Sequence, residues 1–129
     1  MQVNIYTKDA DNQYLSLDFS LREFVCGCEH ADCSITLIDN RLLKGLQTYR
    51  QLVGGPVHLT SAFRCQRHNA DVGGTPHSYH MKGMAADIAV ADLLPRREQQ
   101  RILQTIFDKV IYYEDKGIFH VHNLHKERI

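Results

Sequence analysis

Two segments of the sequence carry side chains that could bind a metal ion. The first runs from Ser78 to Asp87 and contains His80, and the second contains His120 and His122. Together they offer imidazole nitrogens and one carboxylate. Three protein ligands of these types with a fourth position left open are typical of a catalytic zinc site, whereas structural zinc sites are closed, often by cysteines. The pattern therefore predicts a zinc hydrolase.

The elements that must position these side chains are predicted to be strands. A strand at 118–123 would turn His120 and His122 to one face, because alternate residues of a strand share a face, and would turn their apolar neighbours to the core. Residues 84–90 are small and apolar apart from Asp87, which predicts a buried strand. A carboxylate in such a strand needs a partner.

The rest of the chain predicts helices that pack against this sheet. A capping box of Ser20 and Glu23 begins a short helix that runs to about Val25. The main helix has an apolar stripe from Ile38 to Val53, is capped by Asp39 and ends at Gly54-Gly55-Pro56. A strand at 57–61 and a loop at 69–76 follow it. The last expected elements are a helix from Pro95 to Val110 and a strand at 110–113, which turns through 115–117 into the strand at 118–123.

The bulk properties exclude several classes of protein. The 129 residues suit one domain over 1–129 with a core of its own. Lys and Arg total 15, as do Asp and Glu, so no basic footprint for nucleic acid is present. The first residues lack the features of a signal peptide, and no apolar run is long enough for stable membrane insertion. We expect a monomer that is synthesised in the cytoplasm.

Four stretches of the chain form a longer pattern. They are Ser61-Ala62-Phe63-Arg64, Asn69 with Gly73-Gly74, Ser78-x-His80-x-x-Gly83-x-Ala85-x-Asp87, and Phe119-His120-Val121. The pattern, which covers roughly residues 19–123, resembles the M15 peptidases, which include zinc D-Ala-D-Ala carboxypeptidases and phage or bacterial peptidoglycan peptidases. The hedgehog signalling domain is similar in fold. The resemblance implies an α+β fold in which a small antiparallel sheet carries the metal ligands and helices pack against it.

The same resemblance implies a ligand set. His80 and Asp87 would bind zinc together with a histidine of the late strand. Members that carry a single late histidine align it with His120, which places His122 where those members have Asp or Ser. Other members have His-x-His with the second histidine on the metal, which would select His122. We favour His120.

Catalytic and substrate-binding roles follow from the resemblance in the same way. Zinc lowers the pKa of a bound water to about 7, so that this water can act as the nucleophile. Glu114, six residues before His120, matches the spacing of a hedgehog-type Glu and is the expected base; a solvated hairpin residue is the other interpretation. His122 is the alternative base or a hydrogen-bond donor to the oxyanion. Arg64 would hold a substrate carboxylate. Ser78, grouped with Arg64 as a substrate-binding residue, would orient the loop or the Asp87 side chain with its hydroxyl.

The cysteines allow a second metal ion. Cys26, Cys28 and Cys33, with His30 among them and Cys65 distant in sequence, have spacings at which thiolates can chelate zinc. Reduced and partly buried thiols are the alternative, because disulfides rarely persist in a reducing compartment.

The expected function is therefore a zinc metallopeptidase that hydrolyses peptide bonds of peptidoglycan stem peptides or cross-links. It would act on the cell wall as a D-Ala-D-Ala carboxypeptidase or as an endopeptidase of the endolysin type, in the manner of a phage lysis protein or a virion-associated enzyme. The alternative is a non-catalytic, zinc-stabilised cell-wall or protein-binding module of the same fold.

Overall fold

The computed structural model describes residues 2–124, so Met1 and residues 125–129, the two ends of the predicted 1–129 domain, lie outside the described residues. The elements are β1 (Val3–Thr7), a 3₁₀ helix (Leu21–Glu23), β2 (Ile35–Asp39), α1 (Asn40–Val53), β3 (Leu59–Ser61), α2 (Gln66–Asp71), a 3₁₀ helix (Tyr79–Lys82), β4 (Ala85–Ala89), α3 (Arg96–Ile106), β5 (Lys109–Tyr113) and β6 (Ile118–His122). The mixture of helices and antiparallel sheets confirms the predicted α+β class.

Two antiparallel sheets organise the chain. β1 pairs with β2, and the four-stranded sheet has the order β3-β4-β6-β5. In β6, Phe119 and Val121 are fully buried, whereas His120 and His122 are only partly buried. The alternation predicted for this strand is confirmed, and it gives the sheet one apolar face and one face that carries imidazoles.

Helix α1 provides much of the core. Leu42, Leu46, Tyr49 and Val53 recur at helical spacing and are buried. The helix ends where predicted, since Gly54 takes a left-handed conformation (φ 79°) and donates its N–H to the carbonyl of Arg50.

The start of α1 differs from the prediction. Ile38 belongs to β2 rather than to the helical stripe, because Ile38 pairs with Asn4 of β1. Asp39 does occupy the cap position, but its side chain makes no capping hydrogen bond.

Helix α3 is shorter than predicted. Pro95 is its cap rather than part of its first turn, and the helix ends at Ile106, because Phe107 is extended (φ −109°, ψ 148°). Val110 therefore belongs to β5, and α3 packs against both α1 and β5.

Two local predictions need correction. Residues 69–76 are not entirely loop, because α2 extends to Asp71. The predicted helix from Ser20 to Val25 is a short 3₁₀ helix, although Ser20 N–H does donate to Glu23 Oε2 at 2.7 Å. Over residues 2–124, no helix has the length and apolar character needed to cross a membrane.

Candidate metal centre

Strand pairing brings Asp87 and His120 together. β4 and β6 are antiparallel, and their register places Asp87 directly opposite His120 and Ala85 opposite His122. Directly opposed side chains lie on the same face of a sheet. The Asp87 Oδ1 atom is 3.0 Å from His120 Nδ1. The small side chain of Ala85 leaves room for the larger imidazole of His122.

The 3₁₀ helix after the glycine-rich loop supplies His80. Ser78 caps this turn, since its Oγ accepts the backbone N–H of His80 at 3.2 Å. His80 is 2% exposed. Its Nδ1 lies 2.7 Å from the carbonyl oxygen of Ala62, and its Nε2 lies 3.2 Å from Asp87 Oδ1. Ser78 thus orients the motif through the backbone of His80, and its substrate-binding role stays a prediction.

The hydrogen bond between His80 and Ala62 makes the site fit a cation. A carbonyl oxygen can only accept, so Nδ1 donates to Ala62, and a neutral ring then has its lone pair on Nε2. This buried Nε2 has no hydrogen-bond partner among the described residues, although it lies against the carboxylate of Asp87. Two acceptors that face each other in a buried site repel unless a cation lies between them.

The donor set and its spacing also fit zinc. His80, Asp87 and His120 each offer one ligand atom, and these atoms lie within 4.8 Å of one another. Ligands about 2.0–2.2 Å from a tetrahedral ion are about 3.3–3.6 Å apart. Here Asp87 Oδ1 lies 3.2 Å from His80 Nε2 and 3.0 Å from His120 Nδ1, which is close to that spacing. Each His ligand also has a partner for its other nitrogen, as metal-binding histidines usually do.

Gly83 lets the motif approach β2. Its φ is 72°, and a Cβ at this position would lie 2.3 Å from the carbonyl oxygen of Leu37. Its own carbonyl accepts the N–H of Asp39 at 2.9 Å. A glycine is therefore needed where the segment between His80 and Asp87 crosses β2.

The carboxylate of Asp87 is held in its ionised form. Burial acts to raise the pKa of Asp87, but when the His120 and His80 rings are protonated their hydrogen bonds and positive charge outweigh burial and hold that pKa well below its usual range. Arg64 adds an ion pair, with Nη2 3.3 Å from Oδ2. An ionised carboxylate with one oxygen facing two imidazoles is what a metal ligand requires.

Arg64 is fixed from three sides. Besides Asp87, its guanidinium donates to Ser61 Oγ and to Asn69 Oδ1, each at 3.2 Å. Asn69 is 2% exposed and also donates to the carbonyl of Thr75 in the glycine-rich loop. The prediction gave Arg64 a substrate-binding role only, and the ion pair with Asp87 is additional.

His122 lies beside the three clustered residues. Its Nδ1 is 2.8 Å from His120 Nε2, and its ring stacks on Tyr79 with ring centroids 4.2 Å apart. Burial, together with the nearby charge of His120, lowers the pKa of His122 to about 4. The ligand atoms that lie within 4.8 Å of one another belong to His80, Asp87 and His120, and not to His122. Sequence reasoning missed Tyr79, for which no local signal exists.

The three clustered residues and His122 border an open cavity of about 470 Å³. The cavity is also lined by Arg64, Tyr79, Tyr113 and Lys116. Glu114 is exposed in the turn between β5 and β6 and does not line this cavity. Its role as the base stays a prediction.

The four cysteines form a second group. The Sγ atoms of Cys26, Cys28, Cys33 and Cys65 lie within 4.8 Å of one another. His30 is not part of this group and instead pairs with Asp71 at 2.8 Å. Cys65, which the sequence left apart, thus completes a set of four thiols.

A family model described as Peptidase M15 matches residues 16–122, which is most of the chain. The chain belongs to the peptidase M15 family. No curated protein matches this chain. The matched M15 region contains both clusters, that of His80, Asp87 and His120 and that of the four cysteines, whereas β1 precedes it.

Proposed function

We propose that this M15 peptidase is a zinc-dependent enzyme that hydrolyses peptide bonds of peptidoglycan stem peptides or cross-links. The observation that carries the proposal is the convergence of His80 Nε2, Asp87 Oδ1 and His120 Nδ1 in an open cavity. Three protein ligands leave one position free, which separates a catalytic zinc site from a structural one.

Bound zinc would supply an activated water and a Lewis acid for the scissile carbonyl. The protein residues hold this site in place. Asp87 contributes Oδ1, while Arg64 holds Oδ2 at 3.3 Å and so fixes the plane of the carboxylate. The carbonyl of Ala62 fixes the ring of His80, whose Nε2 lone pair faces Asp87.

His122 is suited to donate a hydrogen bond in this mechanism. A His120 ring that gives its Nδ1 lone pair to a metal carries its proton on Nε2, which then donates to His122 Nδ1. A neutral His122 therefore keeps its own proton on Nε2. Because His122 lines the cavity, this N–H is available to an oxygen on which negative charge develops. Of its two predicted roles, we propose the donor rather than the base.

Glu114 remains the predicted general base. It lies with Asp115 in the turn between β5 and β6, and Tyr113 and Lys116, which flank these two carboxylates, line the cavity. Acting as the base requires its side chain to turn inward when the substrate binds. A Glu114→Gln variant that keeps the wild-type kcat would assign proton transfer to another group.

Positive charge in the cavity suits an anionic peptide. Arg64 uses three of its five N–H donors on protein groups, which leaves two for a ligand. Lys116 lines the same cavity. A peptide with a free C-terminal carboxylate, or with a D-Glu carboxylate, would find complementary charge here. Such substrates belong to the cell wall, where a phage lysis protein or a virion-associated enzyme would meet them.

The second candidate function is a non-catalytic, zinc-stabilised binding module. The exposed position of Glu114, outside the cavity, favours it. Such a module would bind peptidoglycan and zinc without releasing peptides.

Digestion of purified peptidoglycan separates the two functions. Soluble peptide release is measured by mass spectrometry with the zinc-loaded protein, with the chelator-treated protein and with a His80→Ala variant whose folding is checked by circular dichroism. The exposed His58→Ala serves as the matched control. We expect release by wild type and His58→Ala and none from the other two samples. Release that persists in His80→Ala, or after the metal is removed, contradicts the zinc peptidase. A pentapeptide and a cross-linked dimer, tested side by side, identify the bond that is cleaved.

A further inference from the structure

We propose that Cys26, Cys28, Cys33 and Cys65 bind a second zinc ion, which is structural rather than catalytic. All four cysteines are free thiols. Three come from the segment before β2, and the fourth is the cap of α2, 39 residues after Cys26. The fold alone brings them together. The proposal is independent of the proposed catalytic function.

The spacing of the sulfur atoms is that of a tetrahedral metal site. Zn–S bonds are about 2.3 Å long, so two sulfurs of a tetrahedron are about 3.8 Å apart. The Sγ atom of Cys65 lies 3.8 Å from that of Cys26 and 3.7 Å from that of Cys28. Disulfide-bonded sulfurs would be about 2.05 Å apart.

N–H donors surround the sulfur atoms as they would surround thiolates. The backbone N–H of Cys65 donates to Cys26 Sγ, and the backbone N–H of His68 donates to Cys65 Sγ, both at 3.4 Å. Lys8 Nζ lies 3.5 Å from Cys28 Sγ and 3.6 Å from Cys33 Sγ. Four thiolates around a divalent ion carry a net charge of −2, which the ammonium of Lys8 partly offsets.

The ligand type selects the metal and its role. Four sulfur ligands in tetrahedral geometry suit zinc or iron, and a site closed by four cysteines has no position left for a substrate. We assign zinc, since a Cys₄ set is a common structural zinc site. Iron in place of zinc is an outcome that the test below distinguishes.

This ion would stabilise the segment that carries Arg64, which contacts the candidate catalytic centre. Cys65 directly follows Arg64, and its carbonyl accepts the N–H of Asn69 at 2.9 Å. Arg64 donates to Asp87, and Asn69 holds Arg64 by accepting a second hydrogen bond from its guanidinium. A metal ion that ties Cys65 to the segment of Cys26–Cys33 therefore fixes the base of the loop on which the Asp87 contacts depend.

Metal content measured by inductively coupled plasma mass spectrometry tests the proposal. We expect two zinc ions per chain in the wild type, one in His80→Ala, one in Cys28→Ser and two in the control His30→Ala. Cys28 is suited to this test because it is partly exposed. Two zinc ions in Cys28→Ser, a zinc-free His80→Ala, or iron in place of zinc would overturn the assignment.

A second measurement does not depend on any cysteine variant folding. In His80→Ala, which lacks a ligand of the other site, replacement of zinc by cobalt(II) should give thiolate-to-cobalt charge-transfer absorption. Absence of this absorption, or two disulfides found by mass spectrometry in protein purified under reducing conditions, would refute the proposal. Neither measurement requires peptidase activity. Failure of the second zinc site can therefore be told apart from failure of the proposed function.

Discussion

Replacing Gly83 by Ala tests the close packing that joins the metal-binding motif to β2. The left-handed conformation (φ 72°) costs a residue with a Cβ about 1–2 kcal/mol. The new Cβ would also lie 2.3 Å from the carbonyl oxygen of Leu37, in a strand that is held by pairing with β1. No side-chain rotation relieves a contact with backbone, and overpacking costs typically about 1–3 kcal/mol more. We expect a total loss of about 2–5 kcal/mol in the free energy of unfolding.

Gly117→Ala is the matched control. Gly117 also has a positive φ, of 62°, but a Cβ there would meet nothing within 4 Å. The Gly117→Ala variant should lose only the conformational part of the free energy of unfolding, about 1–2 kcal/mol. Urea denaturation followed by circular dichroism measures both losses in the free energy of unfolding. The comparison requires that this free energy depend on urea concentration with the same slope in the wild type and in both variants. If the two variants lose the same free energy within about 0.5 kcal/mol, the close approach to Leu37 contributes nothing and the reasoning is wrong.

Three further predictions concern single side chains. His122→Ala should weaken zinc binding at the histidine site about 10–100-fold, because His120 loses its hydrogen-bond partner; competition with a chromophoric chelator measures this, and an unchanged affinity contradicts it. Burial raises the pKa of Tyr49 to about 12, whereas the phenol of the unfolded chain ionises near pH 10. The free energy of unfolding therefore keeps its full value below about pH 10 and falls by up to about 3 kcal/mol as the pH approaches 12. Tyr49→Phe should lack this fall in alkaline denaturation, and an equal fall in the variant contradicts the prediction. Arg64→Lys should lower kcat/KM roughly tenfold more for a substrate with a free C-terminal carboxylate than for its amide, as peptide assays would show; an equal loss for both would mean that Arg64 only positions Asp87.

Long-range pairing explains where the sequence was a poor guide to the fold. Ile38 fits both a helical stripe and a strand, and the pairing of β2 with β1 decides between them. The short α2 is polar and starts from Cys65, whose Sγ accepts the N–H of His68, so it lacks the usual capping signal. In contrast, α1 combines a repeated apolar spacing with a glycine stop, and both signals are local.

The candidate site likewise contains some residues that the sequence predicts and some contacts that it does not. His80, Asp87 and the two late histidines could be picked out as metal-binding types because they are visible in the chain, and the alternation of β6 follows from the period of a strand. The preference for His120 over His122 comes from the family resemblance. The partners of these residues could not. Arg64 meets Asp87 across 23 residues, and Cys65 meets Cys26 across 39. Such contacts are set by strand register and loop path, which no single segment encodes.

Anomalous diffraction collected on either side of the zinc absorption edge tests the central claim most directly. We expect a zinc peak about 2.0–2.2 Å from His80 Nε2, a carboxylate oxygen of Asp87 and His120 Nδ1, with the ring of His122 outside bonding distance. A zinc ion bound by His122 in place of His120, or no zinc at these residues in protein loaded with the metal, would contradict it.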